Sequence, residues 1–262
     1  MPLIVPNRSS IVKRNPYPLK HLVYSPRRRK GKQEMTIGIG FRCYNAVVLA
    51  CDSLVTMPGV YKEHQHKLVF IEKKGEVIAS CYAGTPNLAF AFYRRLEQSL
   101  QSTEPASAQQ VIDVISELAH EFKKKYPKQM PYEQFLFAIS LAEQKPKLAR
   151  LENGIVDEPD TPCIGVGDSA LVKYLIGKLT WYPAMIESAD YSVVLAAYIV
   201  AQAKEFIDGC GGDTSAVIIK EDAEVEPYMG LPIEDLQSRF GDFDNGMRAH
   251  FKKLVDDFSK NG

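Results

Sequence analysis

The segment "MTIGIGF", Met35 to Phe41, opens the part of the chain that has the pattern of a folded domain. Its threonine is followed by isoleucine, glycine and phenylalanine in an order typical of a short strand. Thr36–Phe41 and Ala46–Cys51 are both β-prone, and only the connection 42–45 separates them. This spacing predicts a β-hairpin that begins at Thr36.

The segment before Thr36 has a different character. Residues 1–35 contain nine Lys/Arg and one acidic residue, so the rest of the chain has an excess of about eight acidic side chains. Prolines interrupt residues 1–34, and the segment lacks the apolar core of a secretory signal. We interpret 1–35 as a leader, a propeptide or a mis-assigned upstream segment. Because the codons for "KGKQE" would be purine-rich, like a bacterial ribosome-binding site, we expect translation to start at Met35.

Composition indicates one ordinary globular domain. Apolar residues make up 45% of the 262 residues and charged residues 24%. No apolar run approaches the roughly 18 residues of a membrane helix. The five cysteines are odd in number and lack a CxxC pair, which favours a reducing, cytoplasmic location. His64 and His66 lack acidic or cysteine partners at ligand spacing, so we predict no metal site, and we expect neither nucleic acid nor membrane as a partner.

The predicted elements cluster by type instead of alternating. Strands come in groups and helices in pairs, which favours an α+β fold of two antiparallel sheets with helices outside. The predicted domain spans 36–225, and 226–262 is a C-terminal helical extension whose helix runs Met247–Phe258. The other predicted strands are Lys67–Glu72, Glu76–Tyr82, Phe135–Leu141, Lys147–Leu151, Thr161–Val166 and Thr214–Lys220, and the other predicted helices begin at Thr85, Ser107, Ser169 and Tyr191.

Four segments carry a family resemblance through their order and spacing. They are "MTIGIGF", "AVVLACDS" ending at Ser53, "HKLVFI" around Lys67, and "ASCYAGT" around Gly84. Together they resemble proteasome β-type subunits of the N-terminal nucleophile (Ntn) hydrolase superfamily. Two later segments, "IGVGDSALVKYLI" and "IDGCGGDTSAVII", are similar to the same family. The resemblance covers about 36–220 and implies a four-layer αββα sandwich.

The resemblance also implies a set of catalytic residues. Thr36 is the nucleophile, and a threonine hydroxyl needs a base, which its own α-amino group supplies if Thr36 is the first residue. Lys67 supplies a nearby positive charge, and Asp52 holds Lys67. The backbone N–H of Gly84 binds the oxyanion, and Asp208 supports the amine.

Further implications concern substrate and partners. The primary specificity pocket is lined by Val55, Val69 and Tyr82, and Tyr82 makes it narrow and partly apolar. The expected substrate is a peptide or another amide, and the expected function is threonine-type hydrolysis through an acyl-enzyme, with no cofactor. Family analogy adds a homo-oligomeric ring and an ATPase unfoldase as partner.

Two alternative functions remain open. The family's two supporting serines are absent, and Val166 and Gly211 stand in their places. Because some proteasome subunits keep the fold and lack catalysis, one alternative is a catalytically silent structural subunit. The other alternative is an Ntn amidohydrolase that acts on a small non-peptide amide. The resemblance can be aligned in two registers. Matching "AVVL" aligns the family's first threonine with Thr36, whereas matching "TIGI" aligns it with Met35 or Glu34.

Overall fold

The structure is a computed structural model of the chain. It describes residues 36–57, 61–73, 75–180, 188–229 and 231–261, all within one compact unit. The expectations for residues 1–35, including the position at which translation starts, concern residues outside the described ones.

Two five-stranded antiparallel sheets form the centre of the domain. In chain order the strands are β1 (Ile37–Arg42), β2 (Ala46–Asp52), β3 (Leu54–Met57), β4 (Tyr61–His64), β5 (Val69–Lys73), β6 (Glu76–Ala83), β7 (Gln134–Leu141), β8 (Lys147–Glu152), β9 (Ile155–Asp157), β10 (Cys163–Gly165), β11 (Thr214–Lys220) and β12 (Val225–Tyr228). The first sheet has the order β10-β1-β2-β11-β12 and the second the order β5-β6-β7-β8-β9. Strands β3 and β4 pair as a separate hairpin.

Helices cover the outer face of each sheet. In chain order they are α1 (Pro86–Thr103), α2 (Ala108–Lys125), α3 (Ala170–Leu179), α4 (Ala189–Phe206), α5 (Leu231–Ser238) and α6 (Phe240–Asn261). Apolar side chains of α1 and α2 pack with the second sheet, and those of α3, α4 and α5 pack with the first. A third cluster fills the space between the sheets. These layers confirm the predicted αββα sandwich.

Strand β2 shows why the sequence folds into layers. Val47 and Leu49 point into the space between the sheets, whereas Val48 and Ala50 pack in the cluster that contains α4. Both faces are therefore buried, which accounts for the nearly continuous apolar run of this strand. The predicted hairpin with β1 is confirmed, and it pairs Gly38 with Cys51.

The C-terminal segment differs from the sequence prediction. Strand β12 was not predicted, and the proposed boundary at 225/226 falls inside it. It is short and contains Pro227, which an edge strand tolerates. Helix α6 also begins earlier than predicted, at Phe240, because the ring of Tyr198 packs edge-on against Phe240 and Phe243. Such tertiary contacts leave no periodic signal in the segment itself.

Helix α2 starts next to Ser107, where the sequence predicts it. The Ser107 hydroxyl accepts the N–H of Gln110 at 3.2 Å. The side-chain oxygen of Gln110 accepts the N–H of Ala106 at 2.6 Å. One bond satisfies an N–H of the first turn and the other holds the residue before the cap, and together they favour a helix start at this position.

Phe92 tests the layer between α1, α2 and the second sheet. Its ring stacks on Phe135 at 4.9 Å and meets Phe122 edge-on at 5.2 Å, with no exposed surface. We expect Phe92→Ala to lower the free energy of unfolding by about 3–5 kcal/mol, since it leaves a cavity. Urea unfolding measures this, with Phe206→Ala (64% exposed) as the control. Equal losses in both variants would contradict the packing described.

Candidate active site

The ammonium group of Lys67 lies at the centre of a buried polar cluster. Its Nζ donates to Thr36 Oγ1 at 2.7 Å, to Asp52 Oδ1 at 2.7 Å and to the carbonyl oxygen of Leu54 at 2.5 Å. An ammonium group has three donors, and all three have acceptors here. The side chains of Lys67 and Asp52 are 1% and 0% exposed. The cluster is thus a fully satisfied, buried ion pair that includes the threonine hydroxyl.

Strand order explains why these residues meet. Thr36 directly precedes β1, and Asp52 is the last residue of β2. Because β1 and β2 are antiparallel, the start of one lies beside the end of the other. Lys67 lies just before β5, where the chain passes to the second sheet. The nucleophile candidate and its partners therefore gather at one end of the sandwich.

Backbone donors complete the surroundings of Asp52. Its Oδ1 accepts the N–H of Ile37 at 3.3 Å, and its Oδ2 accepts the N–H of Gly211 at 3.1 Å. Burial raises the pKa of the Asp52 carboxyl, while the charge and hydrogen bond of Lys67 oppose this rise. At nearby Cys210, burial of the thiol itself and then the charge of Asp52 raise the thiol pKa to about 12. A raised pKa keeps this thiol protonated, and the protonated form is a poor nucleophile.

The segment Gly165–Val166 holds the carbonyl group of Thr36. The N–H of Val166 donates to the Thr36 carbonyl oxygen at 2.8 Å. Gly165 has φ +64°, and a Cβ on it would lie 1.8 Å from that oxygen. Only glycine allows this approach, so the "IGVG" stretch is needed to seat Thr36.

Gly84 lies at the end of β6 in a conformation that requires glycine. Its φ is +143°, and a Cβ would lie 2.1 Å from Oε2 of Glu133. The neighbouring Ala83 approaches the same glycine, Gly165, that contacts the Thr36 carbonyl. The end of β6 is therefore next to the Thr36 seat, while the oxyanion role of Gly84 stays a prediction.

Asp208 lies outside the hydrogen-bonded cluster. It is exposed, in the turn after α4. Among the hydrogen bonds of the described residues, none joins it to Thr36 or Lys67. Its predicted support of the amine is therefore a prediction without a contact in this structure.

The three predicted pocket residues differ in exposure. Val55 is 6% exposed and Tyr82 only 1%, whereas Val69 is half-buried. The Tyr82 hydroxyl approaches Gln65 Oε1 at 3.5 Å, and its ring packs against Phe90 at 5.9 Å. The Tyr82 side chain thus fills space between its neighbours and exposes almost no surface to a substrate. The lining of a specificity pocket by these residues stays a prediction.

Sequence reasoning missed the main-chain partners of the site. The carbonyl of Leu54 and the N–H groups of Val166 and Gly211 each bond a predicted catalytic residue. Every residue except proline has these groups, so no residue type could mark them in advance. Val166 and Gly211 are also the residues that the resemblance places at the family's two supporting serines, and this correspondence stays a prediction.

Two kinds of feature are absent from the described part of the chain. There, no group of three or more His, Cys, Asp and Glu side chains is arranged to hold a metal ion. None of the helices described is both long and apolar enough to cross a bilayer.

A family model for proteasome subunits matches residues 35–202. The chain belongs to the proteasome subunit family. Among solved structures it resembles a Gly-1 mutant of Anbu from Hyphomicrobium sp. strain MC1, with 16% identity and a TM-score of 0.69 over 83% of this chain and 97% of that one. It also resembles Anbu, described as an ancestral β-subunit, from Yersinia bercovieri, with 15% identity and a TM-score of 0.68 over 82% and 97%. No curated protein sequence matches the chain.

Membership of the proteasome family explains the architecture. The two antiparallel sheets flanked by helices are the Ntn-hydrolase fold of that family. Members are typically threonine peptidases, and their subunits generally form homo-oligomeric rings. At 15–16% identity, the solved structures support the fold and leave the residues of the site to be argued from this chain.

Removal of Lys67 tests the buried ion pair. Lys67→Ala leaves the Asp52 carboxylate buried without its charged partner, so we expect a loss of about 3–5 kcal/mol in the free energy of unfolding. The control is Arg239→Ala, which breaks an exposed pair with Asp235 (side chains 72% and 70% exposed). It should cost less than about 1 kcal/mol. Denaturant titration compares the two, and similar small losses would contradict a buried pair.

Proposed function

We propose that this chain is a threonine-type Ntn hydrolase that cleaves peptide or amide bonds through an acyl-enzyme on Thr36. The observation that supports it is the hydrogen bond from Lys67 Nζ to Thr36 Oγ1, in a buried cluster with Asp52. The positive charge of the Lys67 ammonium group, next to the hydroxyl oxygen, favours the alkoxide form of Thr36. A structural threonine at the start of a strand has no need of such a partner.

The three acceptors around Lys67 support a base other than Lys67 itself. Its three N–H groups are all donated, so Lys67 has no lone pair for the Thr36 hydroxyl proton. This supports another group as the base, and the α-amine of Thr36 fits because its unperturbed pKa is about 7.7–8.0. We therefore propose that the working form begins at Thr36, after removal of Met35 or of the longer segment.

The reaction then proceeds in two halves. The α-amine takes the hydroxyl proton while Oγ1 attacks the substrate carbonyl carbon, and Gly84 N–H is the proposed donor to the oxyanion. The protonated amine returns this proton to the leaving nitrogen as the C–N bond breaks, which leaves an ester on Thr36. Water then attacks the ester while the same amine accepts the proton of the water. The amine passes this proton to Thr36 Oγ1 as the ester bond breaks, which releases the acid and restores the hydroxyl.

Two observations favour a silent subunit as the second candidate. Asp208 is exposed, and side-chain hydroxyl groups are missing at Val166 and Gly211. Against this, both positions still donate backbone N–H groups, to Thr36 and to Asp52. A third candidate, hydrolysis of a small amide, is favoured by the nearly complete burial of Tyr82 and Val55. Self-association into a ring and an unfoldase partner are proposed by family analogy alone.

Covalent labelling tests the nucleophile. A peptide epoxyketone reacts with the hydroxyl and the free α-amine of an N-terminal threonine together. We expect one adduct on Thr36 in the protein purified from its own cells, read by intact mass and peptide mapping. Thr36→Ala should give none, and Lys67→Ala should label at least about 100-fold more slowly. If the protein has a free Thr36 amine and is not labelled, the silent subunit is the better reading.

The pH dependence tests the base. Because the amine has to be unprotonated to accept the hydroxyl proton, the labelling rate should rise with pH and level off above the amine's pKa. Lys67 is a nearby positive charge, which disfavours the protonated amine, so the inflection should lie at or below about 8. Rates measured from pH 5 to 10 check this. An inflection well above pH 9 would exclude the α-amine as base.

A further inference from the structure

Glu133 is a buried carboxylate beside the predicted oxyanion donor. It is only 1% exposed, and both of its oxygens accept the N–H of Thr85, at 3.1 and 2.9 Å. Its Oε2 also lies against Gly84, so closely that a Cβ there would be 2.1 Å away. Since a buried carboxylate is costly unless it is hydrogen-bonded, Glu133 and the Gly84–Thr85 peptide hold each other in place.

The start of α1 strengthens this arrangement. Thr85 is the residue before α1, and its own side chain makes no capping bond. The carboxylate of Glu133 supplies a partner for the free N–H at this point instead, near the positive end of the helix dipole. The chain segment that contains Gly84 is thereby fixed from the second sheet.

Gln134, the next residue, makes the corresponding contact with the other segment near Thr36. Its Oε1 accepts the N–H of Gly165 at 2.6 Å, and its Nε2 donates to Glu152 Oε1 at 2.5 Å. The bond to Glu152 settles which end of the amide faces Gly165. Gly165 in turn contacts the carbonyl of Thr36.

We propose that Glu133 and Gln134 are positioning residues for the reaction at Thr36. Two consecutive side chains at the start of β7 each accept one backbone N–H, from Thr85 and from Gly165. They thereby hold the two segments that flank the nucleophile, one with the predicted oxyanion donor and one that seats Thr36. The inference rests on the proposed function, and it adds a device by which the second sheet sets the geometry of a site whose nucleophile belongs to the first.

The effect should fall on the chemical step. A displacement of about 1 Å between nucleophile and oxyanion donor can reduce the rate by about 100-fold. Reversible binding of the peptide portion does not depend on the same alignment. Loss of either acceptor should therefore lower the maximal rate of epoxyketone labelling, kinact, and leave the reversible constant KI nearly unchanged.

The experiment compares four variants of the mature protein. We expect Glu133→Ala and Gln134→Ala to lower kinact at least about tenfold with KI within about threefold of wild type. Glu133→Gln keeps an oxygen that accepts the Thr85 N–H, so it should stay within about threefold of wild-type kinact. The control is Ser140→Ala: Ser140 is fully buried on β7 and bonds the backbone of Ala223 and Lys220 at the far end of the strand. Its kinact should not change.

Each outcome has a separate meaning. If wild type is labelled and all four variants label at its rate, the positioning role is wrong and the proposed function stands. A slow Ser140→Ala variant would also overturn the inference, because any buried defect would then suffice. If a wild-type protein with a free Thr36 amine is not labelled, the proposed function fails and the inference fails with it.

Two further variants cover a failure to fold. Glu133→Asp and Gln134→Asn keep the chemical group but withdraw it by one methylene. If the alanine variants do not fold, these two should show the same lowered kinact with unchanged KI. Wild-type kinact in both would contradict the proposal.

Discussion

A single buried positive charge organises this end of the molecule. The ammonium group of Lys67 has to find three acceptors, because a charge taken out of water without partners costs several kcal/mol. It finds them in Thr36, just before β1, and in Asp52 and the carbonyl of Leu54, where β2 ends and β3 begins. The start of β1, the end of β2 and the entry to β5 cannot separate without exposing or orphaning that charge. The same buried contacts therefore form the site and connect the two sheets.

Much of the architecture could be predicted from local patterns. The hairpin of β1 and β2, the cap at Ser107 and the continuous apolar run of β2 each express a physical requirement within a few residues. The cluster of Thr36, Asp52 and Lys67 came instead from the family resemblance, since nothing in their spacing alone requires them to meet. The geometry of the described residues brings these three together, and it leaves Asp208 apart.

The features that were not predicted all depend on distant partners. Strand β12 depends on pairing with β11, and the start of α6 at Phe240 depends on the packing of that ring against Tyr198. Glu133 looks like a surface residue in the sequence, at the end of the polar stretch after α2. Its burial follows only from the approach of Gly84, nearly fifty positions earlier, and no periodicity encodes such an encounter.

The hydrogen bond from Val166 to the Thr36 carbonyl has a consequence for how such chains diverge. A donor that belongs to the main chain survives any substitution at its position except proline. Position 166 is therefore free to exchange its side chain during evolution while its bond to Thr36 persists. When part of a site consists of main-chain N–H and C=O groups, two distant relatives share more of that site than their shared side chains indicate.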